Sequence, residues 1–340
     1  MDIIGHRGAR AYAPENTLLG YQTALAHGVD VVDVDVVATQ DKVLVGYHDL
    51  LINPDILCDE KGQDLAALND EISPFLIKNL PFATFKKSYQ VKLNQMSKYA
   101  TWFPRQKNAP ITHISSLQEI VDYVNLATNS SMSFQIEVKN DLEHPEYTYS
   151  SHELAALIHD FIVKNHLETR VKIQAFDWRI LYAINQFDPK IKTAYLRDDT
   201  FKDNWQKWFA GSDIMKIAKS VMGCQEPLKC HPGVGRDPFY DIKKNFVYRE
   251  EFTFQWIKAL GGYSYEPEDN ELTHENLQLA HALGLKVFVW GWPEHSGRTF
   301  NPDLMSKLIT WGVDGITTDD PQALRKLYSA QKACHVKMWT

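Results

Sequence analysis

The feature that most constrains the fold is a regular alternation of short apolar segments with longer segments of helical periodicity. In the first helical segment, Leu18, Tyr21 and Leu25 recur three or four residues apart, the spacing of one helix face. Strands that alternate with helices form parallel sheets. The pattern therefore predicts a TIM-type (β/α)8 barrel, a fold of about 250 residues. The predicted strands are 2–5, 29–37, 133–138, 171–175, 192–196, 262–265, 286–290 and 315–318.

The chain has 340 residues, more than such a barrel needs. Two stretches lack a clear strand or helix pattern and account for the difference. One runs roughly over 51–115, after the second strand and the hairpin strand 43–47 that follows it; the other runs roughly over 198–260, between the fifth and sixth strands. We predict both to be irregular insertions in a single catalytic barrel spanning 1–340.

Local signals mark where helices begin. Ser116 is followed three residues later by Glu119, which predicts a capping box. Thr273 is predicted to cap a later helix, and Pro321 stands at the favoured first position of the last one. The predicted helices are 17–27, 116–126, 152–165, 178–187, 272–283, 302–311 and one that starts at 321.

Composition and charge limit the classes of function and the locations that the chain can have. The formal net charge is -7 and the isoelectric point is near 6.0, so bulk charge does not indicate a nucleic-acid partner. No run of 18 or more apolar residues is present, so no transmembrane helix is expected. The amino terminus lacks the basic and apolar regions of a secretory signal, and we expect a cytoplasmic protein.

Charged residues stand where predicted strands end. His6 follows the first strand, His48 follows the hairpin, and Glu137 and Lys139 close the third strand. Asp33 and Asp35 alternate with valines, which places both acids on one face of the second strand, toward the barrel interior. A solvated strand edge is the alternative interpretation of such an Asp-x-Asp pair. The carboxyl ends of barrel strands build active sites, which favours a functional cluster here.

The three carboxylates indicate a cation. Asp33, Asp35 and Glu137 would repel one another at one mouth of the barrel unless a positive charge neutralised them. A site made only of oxygen ligands suits a hard divalent cation, Mg²⁺ or Ca²⁺, better than zinc.

Several motifs, in this order, resemble those of the glycerophosphodiester phosphodiesterase family. The resemblance covers both ends of the predicted barrel and leaves out mainly the two insertions. The matching segments are His6-Arg7-Gly8, Pro14-Glu15-Asn16-Thr17, Asp33-x-Asp35, Thr39-x-Asp41, His48-Asp49, Ile136-Glu137-Val138-Lys139, Phe176-Asp177, Val289-Trp290 and Gly312 to Pro321.

The resemblance implies a role for each of eight residues. Asp33, Asp35 and Glu137 would bind the divalent cation. His6 and His48 would be the acid–base pair, Arg7 and Lys139 would hold phosphate oxygens, and Trp290 would line the pocket for the alcohol. The segment Pro14–Thr17 would only shape the first loop and cap the first helix.

The implied reaction is hydrolysis of a glycerophosphodiester, a small molecule, to an alcohol and glycerol 3-phosphate. A cation with Arg and Lys would stabilise the charge on the phosphoryl oxygens. Two histidines that titrate near neutral pH can protonate the leaving alcohol and activate the nucleophile. The nucleophile is either water or a neighbouring substrate hydroxyl, and the sequence leaves open which histidine does which.

The chain also departs from the family pattern. Position 33 is Asp where the family usually has Glu, so the metal could sit deeper or be reached through a water. The residues after Trp290 are Gly291-Trp292-Pro293-Glu294 where the family usually continues with Thr, which bears on substrate choice. Two other functions remain open: a lysophospholipase D or sphingomyelinase D type activity on the same barrel, and a non-catalytic phosphate-ester binding protein.

Overall fold

The computed structural model describes residues 1–67, 72–221, 250–291 and 300–337. Its central feature is a closed barrel of eight parallel strands. These are β1 (Asp2–Gly5), β2 (Val31–Ala38), β7 (Ser133–Val138), β8 (Val171–Ala175), β9 (Lys192–Arg197), β10 (Ser264–Pro267), β11 (Lys286–Val289) and β12 (Gly315–Thr318). Consecutive strands of this list pair with one another, and β1 closes the barrel by pairing with both β2 and β12. The predicted TIM-type barrel is confirmed.

The helices follow the predicted pattern closely. The outer helices are Leu18–Ala26, Leu117–Thr128, Ser151–Lys164, Trp178–Phe187, Glu250–Ala259, His274–Ala282, Pro302–Trp311 and Pro321–Lys337. Ser116 and Glu119 form the predicted capping box, and the Thr273 side chain accepts a hydrogen bond from the backbone N–H of Asn276. None of the described helices is long and apolar enough to cross a membrane.

The valines and acids of β2 face opposite sides. Val32, Val34 and Val36 pack in the core beneath the outer helices. Asp33 faces inward, where it meets Gln135 of β7 and Gln174 of β8. The predicted inward orientation of the acids is confirmed, and it leaves an unusually polar barrel interior that also holds Lys172 paired with Glu266.

The first insertion is not irregular, and this prediction was wrong. After the hairpin strand β3 (Leu44–Gly46), it forms a small antiparallel sheet from β4 (Leu57–Asp59), β5 (Tyr89–Val91) and β6 (Thr112–His113). Short helices lie between them at Phe82–Ser88 and Lys98–Trp102, with 3-10 turns at Ser73–Phe75, Ile77–Asn79 and Pro104–Asn108. Its apolar cluster includes Leu57 and Phe85 and continues onto Val37 and Val45 of the barrel hairpin. Strands of two or three residues are too short to show an alternating pattern.

The second insertion is helical where the structure describes it. Helices run over Phe201–Trp208 and Asp213–Val221, while residues 222–249 lie outside the described part of the chain. Trp205 and Phe209 are buried, and they pack with Trp178 and Trp256. The description of this stretch as irregular was therefore wrong for the part that can be compared.

Candidate active site

The first strand ends in a histidine held by a carboxylate from the last strand. His6 Nδ1 donates to Asp319 Oδ1 at 2.7 Å, and Asp319 follows β12. Arg10 binds the same carboxylate, with Nε 2.9 Å from Oδ1. With Nδ1 used for this bond, Nε2 is the ring nitrogen that can accept or donate a substrate proton. Burial and the Arg10 guanidinium lower the pKa of His6, against the opposing effect of Asp319.

His48 is held in the same way, but by the residue that follows it in the chain. Its Nδ1 donates to Asp49 Oδ1 at 2.7 Å, and Asn53 Nδ2 donates to Asp49 Oδ2 at 2.7 Å. Burial and the positive charges of Arg7 and Lys139 lower the pKa of His48 to about 4. Both predicted histidines thus have their Nδ1 atoms fixed by carboxylates, a geometry that selects one tautomer and one ring orientation.

Asp35 and Glu137 are neighbours across β2 and β7. Asp35 Oδ2 accepts a hydrogen bond from Asn16 Nδ2 at 3.0 Å and forms an ion pair with Arg7, whose Nε lies 2.9 Å away. In the described structure, Asp35 Oδ1 is buried and accepts no hydrogen bond. Glu137 is paired with Lys139. Burial raises the pKa of Glu137 to about 7, although Lys139 acts in the opposite direction.

Asp33 lies two residues deeper along β2 and is more fully engaged. Its Oδ2 accepts from the Arg7 backbone N–H at 3.1 Å, and its Oδ1 accepts from Gln135 Nε2 at 2.9 Å and Gln174 Nε2 at 3.2 Å. Burial and the charge of Asp35 raise the pKa of Asp33 to about 8. Because both of its oxygens already accept hydrogen bonds, Asp33 is the least available of the three acids for a cation.

The three acids do not form a compact metal-ligand group. Across the described ranges, no cluster of three His, Cys, Asp or Glu side chains is close enough to hold an ion. The charges are balanced instead by Arg7 and Lys139. A cation therefore stays a prediction, and Asp33, Asp35 and Glu137 stay its predicted ligands.

Arg7 is buried and links the first loop to the acids. Its NH1 donates to Glu15 Oε1 at 2.8 Å, and the guanidinium forms an ion pair with Asp35. The segment Pro14–Thr17 does more than cap a helix, because Glu15 holds Arg7 and Asn16 binds Asp35 through both its amide oxygen and nitrogen. Assigning that segment a purely local role was too narrow.

The sharp turn after Arg7 depends on Gly8. Gly8 has a φ of 98°, and a Cβ placed there would lie 2.7 Å from the carbonyl carbon of Gly20. We expect Gly8→Ala to lower the free energy of unfolding, measured by urea denaturation, by about 3 kcal/mol, because both the backbone angle and the space exclude a side chain.

Gly284→Ala is the matched control for that substitution. Gly284 also has a positive φ, of 73°, but a methyl group placed on it would have no neighbouring atom within 4 Å. It should lose only about 1–2 kcal/mol, the cost of the backbone conformation alone. Equal losses in the two variants would show that the packing of Gly8 against Gly20 is unimportant.

A cavity of about 750 Å³ opens beside these residues. His48, Lys139 and Trp290 line it, and Phe176 packs edge-to-face on Trp290 with ring centroids 5.6 Å apart. Trp290 is oriented by a hydrogen bond from Nε1 to the Glu266 carbonyl at 2.9 Å. The other five predicted residues do not form its wall. One of them, Asp35, interacts electrostatically with the wall: burial raises its pKa, but the positive charges of Arg7, His48, Lys139 and His6 outweigh burial and lower it. Residues 292–294 of the loop after Trp290 lie outside the described part.

Sequence reasoning assigned no role to several residues of the site. Asp319 and Asp49 orient the two histidines, and Arg10 neutralises Asp319. A carboxylate directly after a barrel strand was the available signal for Asp319. Arg10 gave no such signal, because it stands in a loop among small residues.

Comparison with known proteins points to one family. The sequence model of the family described as glycerophosphoryl diester phosphodiesterase matches residues 6–226 and 238–323. The glycerophosphodiester phosphodiesterase of Bacillus subtilis is 22% identical over 326 residues, covering 95% of this chain and 85% of that protein. The glycerophosphocholine phosphodiesterase GPCPD1 of Rattus norvegicus is 23% identical over 93% of this chain, which spans 43% of that protein's length.

Solved structures show the same fold. A candidate glycerophosphoryl diester phosphodiesterase from Silicibacter pomeroyi superposes with a TM-score of 0.74 at 24% identity, covering 98% of this chain and 94% of that one. An Oleispira antarctica phosphodiesterase in complex with the product sn-glycerol-3-phosphate has a TM-score of 0.62 at 17% identity, with 97% of each chain covered.

The barrel, the site and these matches define a phosphoric diester hydrolase. The chain belongs to the glycerophosphoryl diester phosphodiesterase family.

Proposed function

We propose that the protein hydrolyses glycerophosphodiesters to an alcohol and glycerol 3-phosphate at the barrel mouth. The observation that carries the proposal is the pair of histidines, each held at Nδ1 by a carboxylate 2.7 Å away. A binding protein would need cationic side chains for a phosphate but would have no use for two oriented proton carriers. This favours hydrolysis over the phosphate-ester binding function.

The histidines would work as an acid–base pair. One protonates the leaving alkoxide, and the other removes a proton from water or from a neighbouring glycerol hydroxyl. Because the Nδ1 atoms are occupied by Asp319 and Asp49, each transfer would run through Nε2. Lys139, which lines the cavity, would contact the phosphate oxygens. Arg7, which is buried and paired with Asp35, would add positive charge for the same phosphate.

A hard divalent cation, Mg²⁺ or Ca²⁺, fits the donor set in part. Asp35 Oδ1 is buried with no hydrogen-bond donor among the described residues, and Glu137 stands next to it on β7. Asp33, one methylene shorter than the usual Glu of the family, would contribute directly or through a water. When bound, the cation would supply charge for the phosphoryl oxygens.

Hydrolysis of glycerophosphocholine and of lysophosphatidylcholine, each with Mg²⁺, with Ca²⁺ and with EDTA, tests the proposal. We expect release of choline from glycerophosphocholine with a divalent cation and little release with EDTA. Faster turnover of lysophosphatidylcholine would instead support the lysophospholipase D type activity. If neither substrate reacts with either metal while inorganic phosphate still binds, the proposal fails and the binding function replaces it.

A further inference from the structure

The first insertion contacts the loop that carries Arg10, the arginine bound to Asp319. The contact is made by the short segment that follows the helix Lys98–Trp102. Phe103 is buried, and the guanidinium carbon of Arg10 lies over its ring, 4.6 Å from the centroid. Gln106 is also buried, and its Nε2 donates to the backbone carbonyl of Arg10. The insertion therefore holds Arg10 by its side chain and by its backbone.

A second contact joins the same segment to Asp320, the residue after Asp319. Arg105 NH1 donates to Asp320 Oδ2 at 2.7 Å. The Arg105 guanidinium lies over the ring of Tyr12, and the Tyr12 hydroxyl donates to Asp320 Oδ1 at 2.7 Å. The segment Phe103–Gln106 is thus tied both to the loop after β1 and to the residues after β12.

Arg10 connects these contacts to His6. It binds both oxygens of Asp319, with Nε 2.9 Å from Oδ1 and NH2 3.3 Å from Oδ2, and this fixes the plane of the carboxylate. The same Oδ1 accepts the hydrogen bond from His6 Nδ1 at 2.7 Å. A displaced Arg10 would let the carboxylate rotate, and the histidine ring would lose its fixed orientation.

Phe103 and Gln106 also keep water away from the Arg10–Asp319 ion pair. The Arg10 side chain is fully buried. The cavity that Phe103 and Gln106 line together with Glu15 has a volume of only about 10 Å³, room for no more than one water. The aromatic face adds an attraction for the guanidinium. The ion pair is therefore held in one geometry by the insertion.

We propose that Phe103 and Gln106 of the first insertion are positioning residues for His6 and act through Arg10 and Asp319. The inference rests on the proposed function, because it concerns the proton transfer made by the same histidine. Neither Phe103 nor Gln106 lines the cavity of about 750 Å³, so an effect on turnover has to pass through the contacts described above.

The position of Arg10 also affects the pKa of His6. Burial and the positive charges of Arg10 and Arg7 lower that pKa, whereas Asp319 raises it. Asp35 on β2 interacts with the charge of the same ring. When Arg10 moves away from the ring, its lowering effect weakens and the pKa of His6 rises. The limb of the pH profile that reports His6 should then shift to higher pH.

Phe103→Leu and Gln106→Met test the two contacts separately. Leucine keeps an apolar side chain against Arg10 but removes the aromatic face. Methionine keeps the length of the glutamine side chain but removes the amide donor to the Arg10 carbonyl. Neither substitution adds or removes a charge, so a shift in the pKa of His6 would report a movement of the charges that are already present.

Each variant has a matched control. Phe134→Leu also removes a buried ring next to an arginine, because Arg170 lies over Phe134 near the amino end of β7, at the opposite end of the barrel. Gln90→Met also removes an amide that donates to a backbone carbonyl, that of Glu60, but within the first insertion itself. Both controls lose the same kind of contact without touching Arg10.

The measurements are kcat and KM for glycerophosphocholine as a function of pH, and the NMR titration of the His6 ring, assigned by comparison with His6→Ala. We expect Phe103→Leu and Gln106→Met each to lower kcat by about 10-fold with little change in KM, and to raise the pKa of His6. The two controls should keep the wild-type kcat and pKa. In the Arg10→Gln background, Phe103→Leu should have little further effect.

The outcomes separate this inference from the proposed function. An unchanged kcat and His6 titration in both variants would overturn the positioning role and leave phosphodiester hydrolysis intact. Equal losses in the controls, or a full effect of Phe103→Leu in the Arg10→Gln background, would also overturn it. If the wild type hydrolyses no diester, the proposed function fails, but a titration of His6 that shifts in Phe103→Leu and not in Phe134→Leu would still support the positioning.

Discussion

Replacing His48 or His6 with alanine is expected to lower kcat for glycerophosphocholine by about 10²–10⁴-fold, the usual contribution of a positioned general acid or base. Both side chains reach the site from strand ends, and each is oriented by one carboxylate. Steady-state kinetics with saturating Mg²⁺ measures the effect. KM should change much less than kcat, because proton transfer occurs only in the transition state.

His113→Ala is the control for these variants. His113 is exposed on β6 in the first insertion, away from the cavity. It should retain wild-type kcat. If His6→Ala and His48→Ala also retain most of their activity, while His113→Ala behaves as expected, the acid–base assignment is wrong.

Asp319 and Asp49, the carboxylates that hold the two histidines, allow a second test of the acid–base assignment. Asp319→Asn and Asp49→Asn keep the size of the side chain but let the amide donate toward Nδ1, which favours the wrong tautomer. Each substitution should therefore lower kcat by about 10-fold or more and shift the pH dependence of kcat. A change in stability with an unaltered pH profile would show a purely structural role.

Glu137→Gln is expected to weaken Mg²⁺ or Ca²⁺ binding and lower kcat by about 100-fold or more, because even residues that only support metal ligands contribute about 10–100-fold. Glu137 pairs with Lys139 near the rim, so its loss should disturb the fold less than loss of the fully buried Asp35. Calorimetric titration of the cation and kcat as a function of its concentration measure the effect.

Glu153→Gln is the control for that variant, because Glu153 is also paired with a lysine, Lys42, but lies on an outer helix. It should bind the cation as the wild type does. If Glu137→Gln keeps both cation affinity and metal-dependent turnover, Glu137 is not a ligand. If the wild type itself binds neither cation and is insensitive to EDTA, the metal requirement is wrong.

Much of the barrel could be predicted because its signals are local. The β2 acids alternate with valines, so the period of two assigns Asp33 and Asp35 to the interior before any contact is known. Helix starts are set by local chemistry: Ser116 forms a capping box with Glu119, and Pro321 is the first residue of the last helix, where proline is favoured. Strand ends then place His6, His48 and Glu137 at one mouth.

The remaining features, the contacts within the site and the sheet of the first insertion, depend on residues far apart in the sequence, which no local pattern encodes. His6 is bound by Asp319, 313 positions away. Gln135 and Gln174, from two other strands, both donate hydrogen bonds to Asp33. The sequence predicted three acids meeting at a cation, but the barrel interior satisfies Asp33 with amides. In the same way, twenty or more residues separate β5 from each of its partners, β4 and β6, so the insertion sheet could not be found from periodicity.

The most direct test of phosphodiester hydrolysis at this site is ³¹P NMR of glycerophosphocholine incubated with the enzyme and Mg²⁺. We expect that the diester signal is replaced by that of glycerol 3-phosphate, that this conversion stops with EDTA, and that it is lost in the His6→Ala variant. Formation of phosphocholine instead would show cleavage of the other ester bond, and an unchanged diester signal with Mg²⁺ and with Ca²⁺ would contradict the proposed function.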